Sequence, residues 1–409
     1  MSIAGTVETG FERVRDAFTG AFQDERMGAA LSIWLDGHPI VDLWGGLADP
    51  RTGRPWDQDT ASVIFSCTKG LMSILAAQLI ESGRLDPDAP VSCYWPEFGS
   101  NGKESTTVRH LLAHRAGLSA PHQAATSDDI VDWSRMIARL EAETPLWPPG
   151  EGYAYHAITY GWLVGEVLRR VTGLPVGKLF EQAVARPLRA EAWIGLPEAE
   201  FARVAHLTTG KTLVDQTAAA ATARPPGAID WNERALTLGG ALPLTLATPD
   251  GGFNSPNLWR AEIPGAGGIA SARGLGKIWS ATVRATDGVR LLGNDTIERV
   301  TRVETDGPPM FEVPPPWPRW GMGFQLDSET RRYLTPAGFG HDGAGGQVGF
   351  AEPGLGIGFG FVTNLMEGSG DPRATAIIDA LRDCLGEPEF IPCKTSFGQA
   401  VRTLHRLPV

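Results

Sequence analysis

Ser66 and Lys69 stand three positions apart in Phe65-Ser66-Cys67-Thr68-Lys69-Gly70, at the opening of a stretch with helical spacing, so their side chains share one face. A serine hydroxyl is a weak nucleophile until a base takes its proton. A partly desolvated lysine, whose charged form is disfavoured, can accept or share that proton. The unpaired N–H groups of the helix start would face an oxyanion forming on an attacked carbonyl. The same residues also fit a helix cap followed by a surface lysine, and the pattern alone leaves both readings open.

Other candidate chemistry is sparse. His110 and His114, four apart, could share a helix face, but no Glu or third His stands at a metal-ligand spacing; His114 reads as structural and no metal is expected. The four cysteines, Cys67, Cys93, Cys384 and Cys393, form no CxxC pair and are expected reduced. No G-x-S-x-G elbow occurs. No motif calls for a cofactor.

The elements that must position Ser66 and Lys69 follow from periodicity. Phe11, Val14, Phe18 and Phe22 predict a helix within 7–24. Two β-prone runs, 29–34 and 39–44, flank Asp36-Gly37, a tight-turn dipeptide. Leu71, Ile74, Leu75, Leu79 and Ile80 carry a helix from 68 to Ser82-Gly83, with Ser66 at its start. Helical patterns recur at 108–114, 130–141 and 160–172, whereas 224–264 is loop-rich and 308–318 is a proline-dense loop. Further on come a helix at 271–284, a strand at 321–326, a hairpin of 347–351 and 355–362 around Glu352-Pro353-Gly354, and a helix at 373–385. Strands at both ends with helices between predict one sheet built from both termini, residues 1–84 and 247–409, and a mainly helical insert, 85–246.

The totals exclude several partners. A net charge of −11 with no dense Lys/Arg run would repel a nucleic-acid backbone and an anionic membrane. No stretch approaches the ~20 uncharged apolar residues of a membrane span. Met1 to Gly20 lacks the basic and apolar regions of a secretory signal, so the cytoplasm is the expected location.

Company changes the reading of Ser66. Ser66-Cys67-Thr68-Lys69 resembles the first motif of the penicillin-binding-protein and β-lactamase superfamily, whose serine attacks carbonyls. Pro148 to Gly161 resembles the stretch around its second motif, with Tyr155 in the Tyr position of Tyr-x-Asn, and Leu111 to Leu118 resembles a further signature segment. The resemblance implies an α/β (α+β) β-lactamase/transpeptidase-like fold: an antiparallel sheet flanked by helices, with the helical insert closing over a cleft. It implies that the Tyr155 phenol lies between Ser66 and Lys69, its deprotonated form favoured by the lysine's charge, and shuttles the serine proton. Tyr153 and Tyr160 read as buried aromatics. Gly340-His341-Asp342-Gly343-Ala344-Gly345-Gly346 occupies the position of the third motif, usually Lys-Thr-Gly. By the resemblance, Ala344 and Ser66 N–H groups would form an oxyanion hole, and His341 and Gly343 would line the cleft.

The departures narrow the substrate. Ala157 stands where the second motif has Asn, after His156, and His341 where the third has Lys, so both polar handles of lactam and peptide substrates are reduced. His156 and Ala157 join His341 and Gly343 as candidate substrate-binding residues. Trp147, Trp162, Trp259 and Trp320 are candidates for shaping an apolar pocket or for ordinary core. The pattern is similar to the family VIII carboxylesterases of this superfamily. Expected is a serine carboxylesterase for small to medium, largely uncharged esters, acting through an acyl-enzyme on Ser66. The partner is then a small-molecule ester. A β-lactamase, amide hydrolase or acyltransferase on the same scaffold, and a binding protein without catalysis, are the alternatives.

Overall fold

The computed structural model describes residues 2–223 and 227–386; Cys393 and part of the loop-rich 224–264 region lie outside them. Eight strands form one antiparallel path in the order Ile3–Val7, His38–Asp49, Gly28–Leu35, Ile357–Thr363, Val348–Glu352, Phe339–Asp342, Gln325–Leu326, Arg319–Trp320. Both chain ends thus contribute, through the Gly28–Leu35 and Ile357–Thr363 pair that registers Ile33 against Phe359.

Period-two alternation decides what each face holds. In Ile357–Thr363 the residues Ile357, Phe359 and Phe361 face a core completed by Val14 and Phe18 of the Glu12–Gly20 helix and Ile377, Ile378 and Leu381 of the Arg373–Leu385 helix. Between them, Gly358 and Gly360 face the Ala272–Val283 helix, where a Cβ would collide with its backbone. The glycines let that helix lie directly on the sheet. Gly70 does the same for the Cys67–Glu81 helix, whose flank meets Trp279 and the His341 Cβ. Cys67 Sγ donates to the His341 carbonyl at 3.0 Å, tying the start of that helix to the Phe339–Asp342 strand.

The helical middle of the chain contributes Val108–Leu112, Trp133–Ala142 and Thr159–Thr172, the last packed against Cys67–Glu81. A three-stranded sheet joins Ser62–Val63 and Gly268–Ala270 to Ala192–Ile194, so segments from either side of the expected 85–246 boundary share strands and one continuous core.

Some elements differ from the periodicity reading. The first helix begins only at Glu12, because 3–7 pairs with His38–Asp49 and Gly10 turns the chain at φ +98°. The expected 321–326 strand is reduced to Gln325–Leu326, the second arm of a short hairpin with Arg319–Trp320 that turns through Gly323, φ +81°. Two short helices, Trp231–Thr237 and Pro256–Arg260, stand in the loop-rich region, capped by Asp230 and Ser255. No helix among the described residues is long and apolar enough to cross a membrane.

Candidate active site

Ser66 is the N-cap of the Cys67–Glu81 helix and its side of the cleft is partly open to solvent. The turn that presents it is built locally. Phe65 takes φ +44°, a left-handed value costly for an aromatic residue, and is held there by burial against Phe253, ring centroids 5.2 Å apart. Thr68 Oγ1 donates to the Phe65 carbonyl at 2.5 Å and accepts from the Gly268 N–H at 2.9 Å, so the turn is bonded to the Gly268–Ala270 strand.

Lys69 is fully buried. Its Nζ lies 3.0 Å from Ser66 Oγ, 2.6 Å from the Ala157 carbonyl oxygen and 2.7 Å from that of Gly265. Burial pushes its pKa well below the ordinary lysine value of 10.5. Carbonyl oxygens only accept, so Ala157 and Gly265 take two N–H bonds of the amine, and in its neutral form, which burial favours, the lone pair is left for the Ser66 hydroxyl.

Tyr155 completes the cluster. Lys69 Nζ lies 4.8 Å from its ring centroid, and the phenol lies close enough to Ser66 for that hydroxyl to favour the phenolate. The ring stacks on Trp320 at 5.2 Å and 16° and has His114 4.9 Å away. Here the electrostatics differ from expectation: burial, only partly opposed by the nearby Ser66 hydroxyl, raises the phenol's pKa, so the resting tyrosine is protonated. The lysine charge expected to favour a phenolate is itself suppressed by burial.

The strand segment from His341 to Ala344 runs beside this helix start. A Cβ on Gly343 would strike the Ile64 carbonyl oxygen, and the Gly343 N–H is taken by Gln347 O at 2.7 Å. Among the described residues, neither the Ser66 nor the Ala344 N–H donates to a protein acceptor. Arg373, itself buried, fixes the following turn by donating to Gly345 O at 2.8 Å while paired with Asp371. Asp342 is clamped by Arg331 at 2.8 Å.

The four expected substrate-binding residues stand around the cluster, with the His156, Ala157 and His341 side chains buried. His341 is 1% exposed, its Nδ1 bonded to Asp342 O at 2.7 Å, and burial aided by Lys69 pushes its pKa down to about 3. The ring is neutral and lies 5.2 Å from Trp320 and 6.2 Å from Tyr155, and its Nε2 has no hydrogen-bond partner among the described residues. His156 is fully buried with Nε2 accepting from Leu118 N at 3.1 Å and Nδ1 on Ala154 O at 2.7 Å, so neither nitrogen is free for a ligand. Ala157 acts through its carbonyl on Lys69, its methyl being buried. Gly343 supplies closeness to Ile64 in place of a polar contact.

Tyr160 is buried against Ser73 Oγ at 2.9 Å, and Tyr153 Oη bonds Gly307 O at 2.5 Å. Trp320 touches the site directly; Trp147 lies 6.1 Å from His156; Trp162 is core; Trp259 bonds the Phe253 carbonyl behind Phe65. His114 Nδ1 accepts from His156 N at 3.2 Å, and no group of His, Cys, Asp and Glu able to hold a metal occurs among the described residues.

Gly265 was not visible as a lysine partner from its own neighbourhood. Its trace is Gly161, a glycine inside a helical pattern: a Cβ there would strike the Gly265 backbone, and one on Gly265 would strike Ile158 O. The close crossing brings the Gly265 carbonyl to Lys69.

The Beta-lactamase family model matches residues 12–382. The chain belongs to that family. A curated relative, "Esterase/beta-lactamase LipL" of Mycobacterium tuberculosis, is 35% identical over 370 residues, 88% of this chain and 83% of its own. A family VIII carboxylesterase structure superposes with TM-score 0.82 at 34% identity, covering 94% of this chain and all of that one. A penicillin-binding-protein homologue from Caulobacter crescentus superposes with TM-score 0.81 at 33% identity over 94% of this chain and all of that one. This member of the beta-lactamase family is a serine hydrolase with the β-lactamase/transpeptidase-like fold, akin to its esterase and β-lactamase relatives.

Proposed function

We propose that the protein is a serine carboxylesterase that hydrolyses small to medium, largely uncharged esters through an acyl-enzyme on Ser66. The observation that carries this reading is the Lys69 geometry: two carbonyl acceptors engage its N–H bonds and leave a lone pair for Ser66 Oγ, 3.0 Å away. Lys69 takes the Ser66 proton as Oγ attacks the ester carbonyl. The tetrahedral oxyanion sits between the Ser66 and Ala344 N–H groups. Tyr155, protonated at rest, gives its proton to the departing alkoxide and regains one from the Lys69 ammonium. Water then attacks the acyl carbonyl, the same groups taking its proton and returning one to Ser66 Oγ; an alcohol in its place would make the acyl-transfer product.

Preference for uncharged esters rests on what stands at the third motif. His341 is neutral and buried, and Arg331 is committed to Asp342, so neither offers a free cation for a substrate carboxylate. A β-lactamase activity is the second reading, favoured by the 35% identity to a relative named for both activities. Turnover of p-nitrophenyl butyrate against a chromogenic cephalosporin separates them. The ester is expected to be the better substrate, and clear preference for the lactam overturns the esterase reading. A fluorophosphonate probe should label wild type and Cys67→Ala but not Ser66→Ala. An unlabelled folded wild type would indicate a binding protein without catalysis.

A further inference from the structure

We infer that Trp147, Phe311 and Trp231 form an apolar wall that receives the hydrocarbon tail of the substrate ester, so these residues set its chain-length preference. This rests on the esterase reading and names the substrate class within it.

The wall begins beside the catalytic cluster. Trp147 is 5% exposed and lies 6.1 Å from His156, the neighbour of Tyr155. Phe311 meets Trp147 edge-on at 5.7 Å and stacks on Trp231 at 6.0 Å and 23°. Phe311 and Trp231 are each half-buried, so the wall's apolar surface runs from buried Trp147 outward to solvent.

Three segments far apart in sequence, carrying Trp147, Trp231 and Phe311, build this wall, and hydrogen bonds tie them in place. The loop of residues 305–320 ends in Trp320, stacked on Tyr155, and is bonded midway to the strip carrying Tyr155: Met310 N donates to Tyr153 O at 2.7 Å, and Tyr153 Oη donates to Gly307 O. Its tip is bonded to the Trp231–Thr237 helix by Asn232 Nδ2 donating to Glu312 O at 3.1 Å. The loop therefore spans from the Tyr155 ring to the helical part of the chain.

Exposed apolar residues concentrate here. Of eight large hydrophobic residues exposed among the described residues, Leu236, Met310 and Val313 lie on the 305–320 loop and the Trp231–Thr237 helix, and Ile229 and Leu244 flank that helix. Such concentration marks a binding surface in place of scattered surface apolarity. The loop that carries Phe311 also carries Trp320, stacked on Tyr155, and this selects the occupant: a chain attached to the carbonyl held at Ser66 would run along this loop to the wall, each methylene removed from water adding to binding.

Initial rates on p-nitrophenyl acetate and p-nitrophenyl octanoate test the wall in wild type, Phe311→Ala and Trp231→Ala, with melting curves to establish folding. The octanoate-to-acetate ratio of kcat/KM is expected to fall about tenfold in each variant, mainly through KM. Both positions are only partly buried, so if one variant fails to fold the other reads the same wall. A ratio within about twofold of wild type in either folded variant overturns the inference. Wild type that turns over neither ester sinks the esterase reading before any substitution is made, and the wall's role as a tail site with it.

Discussion

Lys69 Nζ lies 2.7 Å from the carbonyl oxygen of Gly265, a residue 196 positions further along the chain. With Ala157 O and Ser66 Oγ as its other partners, the amine has no carboxylate partner among the described residues to stabilise its charge. Orientation and a lowered proton affinity therefore have one origin, burial between two backbone segments.

That origin predicts a pH profile. A lysine with a depressed pKa is protonated and inactive as a base below its midpoint, and gains its lone pair as pH rises through it. The acid limb of kcat/KM is expected to rise to a plateau with a midpoint well below 10.5. Lys69→Arg cannot deprotonate and should lose about a thousandfold in kcat/KM at pH 8. An arginine variant retaining near-wild-type turnover would remove Lys69 from the role of base.

Tyr155→Phe keeps the ring that stacks on Trp320 and removes only the hydroxyl. Activity should drop by about two to four orders of magnitude. Tm should move by no more than about 3 °C, the scale of one hydrogen bond in a chain of this length. Rates on esters and differential scanning calorimetry give both numbers, and an active phenylalanine variant would exclude the proton-transfer role.

Gly343→Ala places a methyl group against the Ile64 carbonyl and the Gln347 side chain. The strand must retreat from the Ser66 turn, at a cost of about 1–3 kcal/mol, and the Ala344 N–H moves with it. The variant is expected to melt lower and to lose kcat more than it raises KM. Gly354→Ala, where no atom lies within 4 Å, is the control for a glycine substitution of no steric consequence.

Glu352 is buried at the end of the Val348–Glu352 strand, accepting from Thr335 N at 3.0 Å and Thr335 Oγ1 at 2.9 Å, and burial raises its pKa from 4.5 to about 7. The folded state then binds this proton more tightly than the unfolded chain. Its stabilising contribution is complete below pH 4.5, falls as pH rises to about 7, and is constant above that. Glu352→Gln removes the slope, so its Tm relative to wild type should climb across that window, corresponding to at most ~3 kcal/mol. A difference that does not change with pH refutes the assignment.

Local chemistry made much of the site legible. Ser66 and Lys69 are one helical turn apart, and a three-residue spacing places two side chains together wherever the helix lies. The hairpins around Asp36-Gly37 and Glu352-Pro353-Gly354, the glycine-alternating strand, and the amphipathic helices that cover it follow from periods of two and 3.6 residues. Tyr155 was legible only through the motif it resembles, since nothing in its neighbourhood states which distant hydroxyl it meets.

What the tertiary structure decided concerns residues whose types carry no signal for their partners. His156 and His341 are polar by sequence, yet burial and backbone bonds turn them into neutral supports. Ala157 and Gly265 have no functional side chain, yet their carbonyls orient the lysine, because one chain crossing, made close by Gly161 and Gly265, brings their two segments together beside it. Side-chain identity and periodicity are written locally in the chain, whereas burial, proton affinity and the meeting of main-chain acceptors exist only once segments far apart have packed.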